Sequence, residues 1–426
     1  MNIRRLCGAV VAASLALSAC ASSSTGSDTT TTGTDTVPAP TVEWLPCGDI
    51  ECARVDVPRI GSDVEGETIK VAAYRHVSSR KSAPVLFLLP DRTYGYSARE
   101  AVESAPLALG AVANDYTLIA VSPRGTVDSP VTLADVNVLS ALDEMDDVIA
   151  VQTSLGIDEA AVLGWGSGAT VATALVMSYP GRVSAAILDA PQDPSVSMVR
   201  QAERQLESMQ AAVETAMRWC ASHLSCPSNA NVAKALSRFK TNLRLGRLGE
   251  GIDFDTIARA ATHAIADGDP QSLFVALNDA SDGDGAALVA LAGPAPTAES
   301  STSRCADVTL SASKRISSLF AAHVASKPRH FWMGMEAQTY GFCASLPATQ
   351  RPIGGLEPVA GAKDAKVFVT IARGDPVVPP HTPRTMAKRM GWTYKSVYAN
   401  RHLVVGYDQA ITRSAFEFLA AALNDR

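Results

Sequence analysis

The chain is poor in charge: Asp, Glu, Lys and Arg make up 19% of its 426 residues, against 47% hydrophobic ones. Aromatic residues are scarcer, at 6%. No basic block stands out and the net charge is −6, which argues against nucleic acid as a partner. Past the first twenty residues, no apolar run reaches the roughly 20 residues that a spanning helix needs. The sequence has no CxxC pairs and no histidines at metal-ligand spacing, which argues against a zinc site. His263, His323, His330 and His381 read as ordinary surface or partly buried histidines, and no cofactor is implied.

What is present begins with a targeting pattern. Met1 to Arg5 carries two arginines, Leu6 to Leu17 is a short apolar stretch, and Leu17-Ser18-Ala19-Cys20 follows it. A basic start, a short apolar core and small residues at the end describe a secretory signal over residues 1–19. The last four residues also resemble a bacterial lipobox, which implies diacylation of Cys20 and attachment to the outer face of the cytoplasmic membrane. Residues 20–41 hold the lipidated cysteine and a Ser/Thr-rich stretch that cannot bury enough apolar surface to fold, and is read as a flexible tether.

Cysteine usage agrees with export. Beyond Cys7 and Cys20, six remain: Cys47, Cys52, Cys220, Cys226, Cys305 and Cys343. An even set in an exported protein implies disulfides. Short spacing favours Cys47–Cys52 and Cys220–Cys226, leaving Cys305–Cys343.

Thr68 to Val77 alternates apolar and polar residues, as a strand with one exposed face would. Val85–Leu89, Leu118–Val121, Ala161–Leu163, Ala185–Leu188 and Val367–Ile371 are short uninterrupted apolar runs, the pattern of parallel strands covered on both faces. Helical stretches over Leu133–Leu155, Ala169–Tyr179 and Asp408–Leu423 separate some of them. Such alternation predicts an α/β fold with a mostly parallel, doubly covered sheet. Residues 194–347 break the rhythm and read as an inserted helical cap. They divide the core into residues 42–193 and 348–426.

The run Ala161-Val162-Leu163-Gly164-Trp165-Gly166-Ser167-Gly168-Ala169 passes from a buried strand straight into a helix. That is the setting of the G-x-S-x-G nucleophile elbow, in which a sharp turn exposes the central residue above the sheet. Here the central residue is Gly166, and a serine follows it at Ser167. The elbow needs small residues two places before and two places after its centre. Gly164 and Gly168 supply them around Gly166, whereas centring on Ser167 would put Trp165 and Ala169 there. Trp165 is read as packing beside the elbow, and Trp219, next to Cys220, as cap core.

Several further segments carry a family likeness. Trp44-Leu45-Pro46-Cys47, Glu51-Cys52-Ala53 and Val57-Pro58 lie near the N-terminal end, and Ser122-Pro123-Arg124-Gly125-Thr126 lies before the elbow. Tyr179-Pro180-Gly181-Arg182-Val183, Leu188-Asp189-Ala190-Pro191 and Gly374-Asp375-Pro376-Val377-Val378-Pro379-Pro380 follow it, with His402 beyond. With these segments the chain resembles the secreted tripeptidyl-aminopeptidase (TAP-like) family of actinobacterial α/β-hydrolases along nearly all of its mature length. The resemblance implies an α/β-hydrolase fold, with Asp375 as the orienting acid and His402 as the general base of a catalytic triad. It also exposes two departures: Gly166 stands where the family has its nucleophilic serine, and the glycine-rich oxyanion loop is replaced by Pro90-Asp91-Arg92-Thr93-Tyr94-Gly95-Tyr96. Pro90 has no N–H to donate, and Asp91 brings negative charge to a site meant to stabilise an oxyanion. Arg401, preceding His402 where the family has glycine, is expected to crowd the site.

The expected function is therefore a lipid-anchored pseudohydrolase that binds a peptide-, lipid- or glycan-like ligand under the cap, or an envelope protein. The alternative is an active serine hydrolase cleaving peptides or acyl esters through Ser167, His402 and Asp375.

Overall fold

The computed structural model describes residues 42–425, apart from 62–65, 93–96, 132–137, 228–231, 249–251, 294–304, 306, 308–309, 327–339, 342 and 345–350. The expected signal, Cys20 lipidation and tether lie outside the described residues, as do His330 and most of the expected oxyanion loop.

Nine strands form one sheet: β1 (Leu45–Cys47), β2 (Ile50–Pro58), β3 (Thr68–His76), β4 (Val85–Leu89), β5 (Thr117–Val121), β6 (Ala160–Trp165), β7 (Val183–Asp189), β8 (Val367–Ala372) and β9 (Thr393–Val397). Their order is β1-β2-β3-β5-β4-β6-β7-β8-β9. The first three strands join by antiparallel pairing, and everything from β5 through β4 to β9 is parallel.

Side chains alternate across the sheet into two layers. Phe87 and Leu89 of β4 pack with α2 (Ala141–Ser154), α3 (Ser167–Ser178) and the later helix His381–Met390. Leu86 and Leu88 face the opposite layer, with α1 (Ala98–Leu109) and the C-terminal helix Gln409–Asn424. Fully burying a leucine or phenylalanine is worth roughly 1.5–3 kcal/mol relative to leaving it exposed, so this doubly covered centre anchors the fold. It also corrects the expectation for β3. Val71, Ala72, Ala73 and Tyr74 are all buried, because both layers reach that strand.

The helix expected from Leu133 begins instead at Ala141. Ser140 accepts a hydrogen bond from the Asp143 N–H, and the Asp143 carboxylate accepts one from the Ser140 N–H, a reciprocal cap that fixes the start.

Between β7 and β8 the described regular elements are all helices: α4 (Met198–Ser222), α5 (Val232–Arg244), α6 (Phe254–Ala266), α7 (Pro270–Ser281), α8 (Ala286–Ala292) and α9 (Leu310–Ser326). They share their own apolar cluster, including Met209, Phe239, Ile257, Leu273 and Phe320. After β8 come α10 (His381–Met390), β9 and α11 (Gln409–Asn424). The cysteines pair as their spacing suggested, Cys47–Cys52, Cys220–Cys226 and Cys305–Cys343. Three disulfides fit an exported protein. Among the described residues no helix is long and apolar enough to cross a membrane.

Arg124 shows how the segment after β5 is fixed. Its guanidinium makes a two-pronged contact with the buried Asp147 of α2, at 2.7 and 2.6 Å, and donates to the carbonyls of Pro58, Arg59 and Val138. Burial pushes the Asp147 carboxyl up to about 7, with Arg124 pulling the other way. Arg124→Ala would strand that carboxylate in the core. The expected loss is about 3–5 kcal/mol, read as a lowered urea midpoint; a loss below about 1 kcal/mol would contradict this account.

Candidate active site

Two close approaches of backbone build the elbow at the end of β6. A Cβ on Gly164 would lie 2.6 Å from the Ala169 Cα, and one on Gly168 would lie 2.1 Å from the Leu89 carbonyl oxygen. Gly166 between them has φ +51° and ψ −114°, a conformation side chains rarely adopt, and is the N-cap of α3. Its N–H donates to the Asp189 carbonyl at 2.8 Å. Glycines at 164 and 168 thus let strand, helix and the Pro90–Asp91 segment meet at one point. The elbow is centred on Gly166.

The loops after β8 and β9 bring the acid and the histidine. The Asp375 Oδ1 accepts hydrogen bonds from the Val377 and Val378 N–H groups at 2.7 and 2.8 Å, and its Oδ2 lies 2.8 Å from His402 Nδ1. The His402 N–H donates to the Ala266 carbonyl at the end of α6. Just beyond, the Val404 and Val405 N–H groups donate to Asp189 Oδ2 at 2.7 and 2.8 Å. Burial pushes the Asp189 carboxyl up to about 7, and those two N–H groups oppose it. Asp189 went without a role in the sequence, although a carboxylate closing an otherwise apolar strand was the available signal.

Asp91 takes the place opposite. Its Oδ2 lies 3.2 Å from His402 Nε2. Its Oδ1 accepts the Ser167 hydroxyl proton at 2.9 Å and faces the Ser167 N–H at 3.3 Å. A Cβ built on Gly166 would fall 2.4 Å from Asp91 Oδ2 and 2.9 Å from His402 Nε2. A nucleophile's side chain would therefore occupy the space that the Asp91 carboxylate fills. The N–H of Ser167, the residue that follows the elbow's centre, points at the same carboxylate.

Ser167 is committed elsewhere. Besides donating to Asp91, its oxygen accepts the Arg92 N–H at 2.9 Å. The Arg92 side chain in turn pairs with the buried Glu144 of α2 at 2.8 Å, which ties the segment after β4 to the helix layer. Burial pushes the Glu144 carboxyl up, and Arg92 opposes it. The Arg401 guanidinium stacks on the Tyr407 ring, 3.8 Å from the centroid. The Trp165 indole donates to the Val405 carbonyl beside the elbow. Trp219 is partly buried against the insert's apolar cluster and stacks on His223. The side chain of His263 faces the Leu291 carbonyl.

A model of the alpha/beta hydrolase fold family matches residues 102–407. This chain belongs to that family. A stretch of 104 residues in this alpha/beta hydrolase is 32% identical to the serine protease Hip1 of Mycobacterium tuberculosis and of Mycobacterium bovis. The match covers 24% of this chain and 19% of those relatives, so the chain spans about a fifth of their length. Among solved structures, a serine hydrolase from Cycloclasticus zankles is 12% identical, covering 88% of this chain and 100% of its own, with a TM-score of 0.46. The proline iminopeptidase of Mycobacterium smegmatis is 13% identical, covering 91% and 100%, with a TM-score of 0.42.

Electrostatically, the site is one imidazole between two carboxylates. Burial alone would lower the His402 pKa; Asp375 and then Asp91 outweigh it and push it up to about 10. The folded value lies above the ordinary 6.5, so protonation favours the folded state. That stabilisation is fully present below about pH 6.5 and is lost as the pH rises through about 10. The expected NMR result is a His402 imidazole that stays charged from about pH 5 to pH 9 and titrates at lower pH in Asp91→Asn. A wild-type midpoint near 6.5 would show that Asp91 does not hold the proton in place.

Proposed function

We propose that this alpha/beta hydrolase is an exported, lipid-anchored cell-envelope protein that has lost serine-type acyl hydrolysis and uses its fold for binding. The observation that carries this reading is the Asp91 carboxylate against His402 Nε2, in the space that a side chain at Gly166 would need. A histidine held as imidazolium accepts no proton from a hydroxyl. The Ser167 N–H, facing Asp91, is turned to an internal carboxylate instead of a substrate oxyanion. Lipid attachment rests on the Leu17-Ser18-Ala19-Cys20 pattern, and export also on the three disulfides.

Binding has a place to occur. A cavity of about 460 Å³ lies between α4, the turn joining α6 to α7, and the loops after β8 and β9. That volume falls in the range of small-ligand sites, which mix apolar walls with a few polar groups. Here Ala212, Ala216, Trp219 and Ile265 give apolar surface, with Asp267, Asp269 and Arg401 as charged groups. A peptide-, lipid- or glycan-like ligand, or a segment of an envelope partner, suits this mixture.

The deciding experiment is fluorophosphonate labelling of the purified protein, with the modified residue mapped by mass spectrometry. The wild type is expected to stay unlabelled. Gly166→Ser is also expected to stay unlabelled, because the new Cβ falls 2.4 Å from Asp91 Oδ2. The double variant Asp91→Gly/Gly166→Ser removes that conflict and is expected to label at residue 166. An adduct on Ser167 in the wild type would make the protein a serine hydrolase and end the binding reading.

A further inference from the structure

The cavity beside α4 lies apart from the buried imidazole, and its walls combine an aromatic ring with polar side chains that nothing inside the protein uses. We propose that it binds an uncharged pyranose sugar through Trp219, Asp267, Asn400 and Arg401. The inference rests on the reading above that the fold serves binding, and it names the ligand class of that site.

Packing sets the walls. Ala212, Thr215, Ala216 and Trp219 recur at the spacing of one helix face, so α4 gives a single side to the cavity. His223 backs the Trp219 indole, with ring centroids 4.7 Å apart, and the Cys220–Cys226 disulfide ties down the end of α4 that carries them. The indole is thus a fixed apolar plate. Gly268, at φ +75°, lets the turn between α6 and α7 close on the loop after β9: a Cβ there would lie 3.0 Å from the Asn400 carbonyl oxygen. That approach brings Asp267 and Asp269 to the same cavity as Asn400 and Arg401. Asp269 is occupied as the cap of α7, where it accepts the Ser272 N–H. The side chains of Asp267, Asn400 and Arg401 make no hydrogen bond to the protein among the described residues. Arg401 instead rests its guanidinium on the Tyr407 ring.

Such a set of groups selects by charge. An anion entering the cavity would meet the carboxylates of Asp267 and Asp269, and a cation would meet the Arg401 guanidinium. A hydroxyl is donor and acceptor at once, so it suits carboxylate, carboxamide and guanidinium alike. Neighbouring hydroxyls on a ring also match the paired oxygens of a carboxylate and the paired N–H groups of a guanidinium. The face of an indole carries negative charge, and the C–H face of a pyranose is apolar and slightly positive. A long acyl chain needs continuous apolar wall, whereas polar side chains stand on α4, on the α6–α7 turn and on the loop after β9. A peptide held through its backbone needs the edge of a strand, and no strand residue lines this cavity.

The test is binding of the purified protein to an array of neutral, amino and uronic acid oligosaccharides, with peptides on the same slide. Retention on neutral pyranosides is expected. Asp267→Ala is expected to weaken binding of the retained sugar about tenfold or more, and Asn400→Ala about three- to tenfold. Both remove side chains that the fold does not use. The retained sugar is also expected to change the tryptophan fluorescence of the wild type, and that change should vanish in Trp219→Phe. A blank array would overturn the proposal. So would retention on charged sugars or peptides alone, or neutral-sugar binding that both alanine variants keep at wild-type strength. With a wild type silent to fluorophosphonate, those results remove the sugar and leave the binding reading standing. An adduct on Ser167 removes the reading on which the proposal rests.

Discussion

Burying an imidazole between two carboxylates sets most of what this site can and cannot do. Each charge would be costly alone in the core, and the cost falls only because opposite charges sit within hydrogen-bonding reach of one another. The contact also joins three separate parts of the chain. Asp91 comes from the end of β4, Asp375 from the end of β8, and His402 from the loop beyond β9. The glycines at 164, 166 and 168 are what allow this meeting, since a methyl group at any of them would strike backbone or the Asp91 carboxylate. Fold and site therefore share one steric requirement.

Around that contact lies a shell of fixed groups. Asp189 holds the backbone beyond His402, Ser208 donates to the Asp375 carbonyl, and Arg92 carries the Asp91 segment onto Glu144. Ala190, following Asp189, has φ +56°, a left-handed conformation that a non-glycine residue adopts at some cost. Such strain beside the elbow is tolerated because strands on both sides over-determine the backbone there: the Ala190 N–H donates to Thr370 of β8.

The sequence disclosed six of the nine strands, β3 to β8, together with the elbow and the positions of Asp375 and His402, because each leaves a local trace. Apolar runs mark doubly covered strands, and Gly-x-Gly-x-Gly marks a close approach. It disclosed Asp91 only as unwelcome charge. Nothing in Pro90-Asp91-Arg92 tells how far the carboxylate reaches across the elbow; that depends on Gly166 leaving a space and on Arg92 finding Glu144, a partner distant in sequence. The strand β9 was missed for a different reason. Thr393-Tyr394-Lys395-Ser396-Val397 is polar because it lies at the edge of the sheet, where one side needs no apolar cover. The start of α2 was misplaced because Leu133 lies in an apolar-rich stretch, while the reciprocal bonds of Ser140 and Asp143 decide where the helix begins.

One backbone hydrogen bond gives the insert a hold on the charged centre. The His402 N–H donates to the carbonyl of Ala266, the last residue of α6, while its ring is gripped by Asp375 and Asp91 on the sheet. The histidine is thus a hinge pin with its main chain in one body and its side chain in another. Ile265 and Asp267, on either side of that carbonyl, line the cavity beside α4. The wall of the cavity and the support of the proton-bearing ring are therefore one and the same turn of chain.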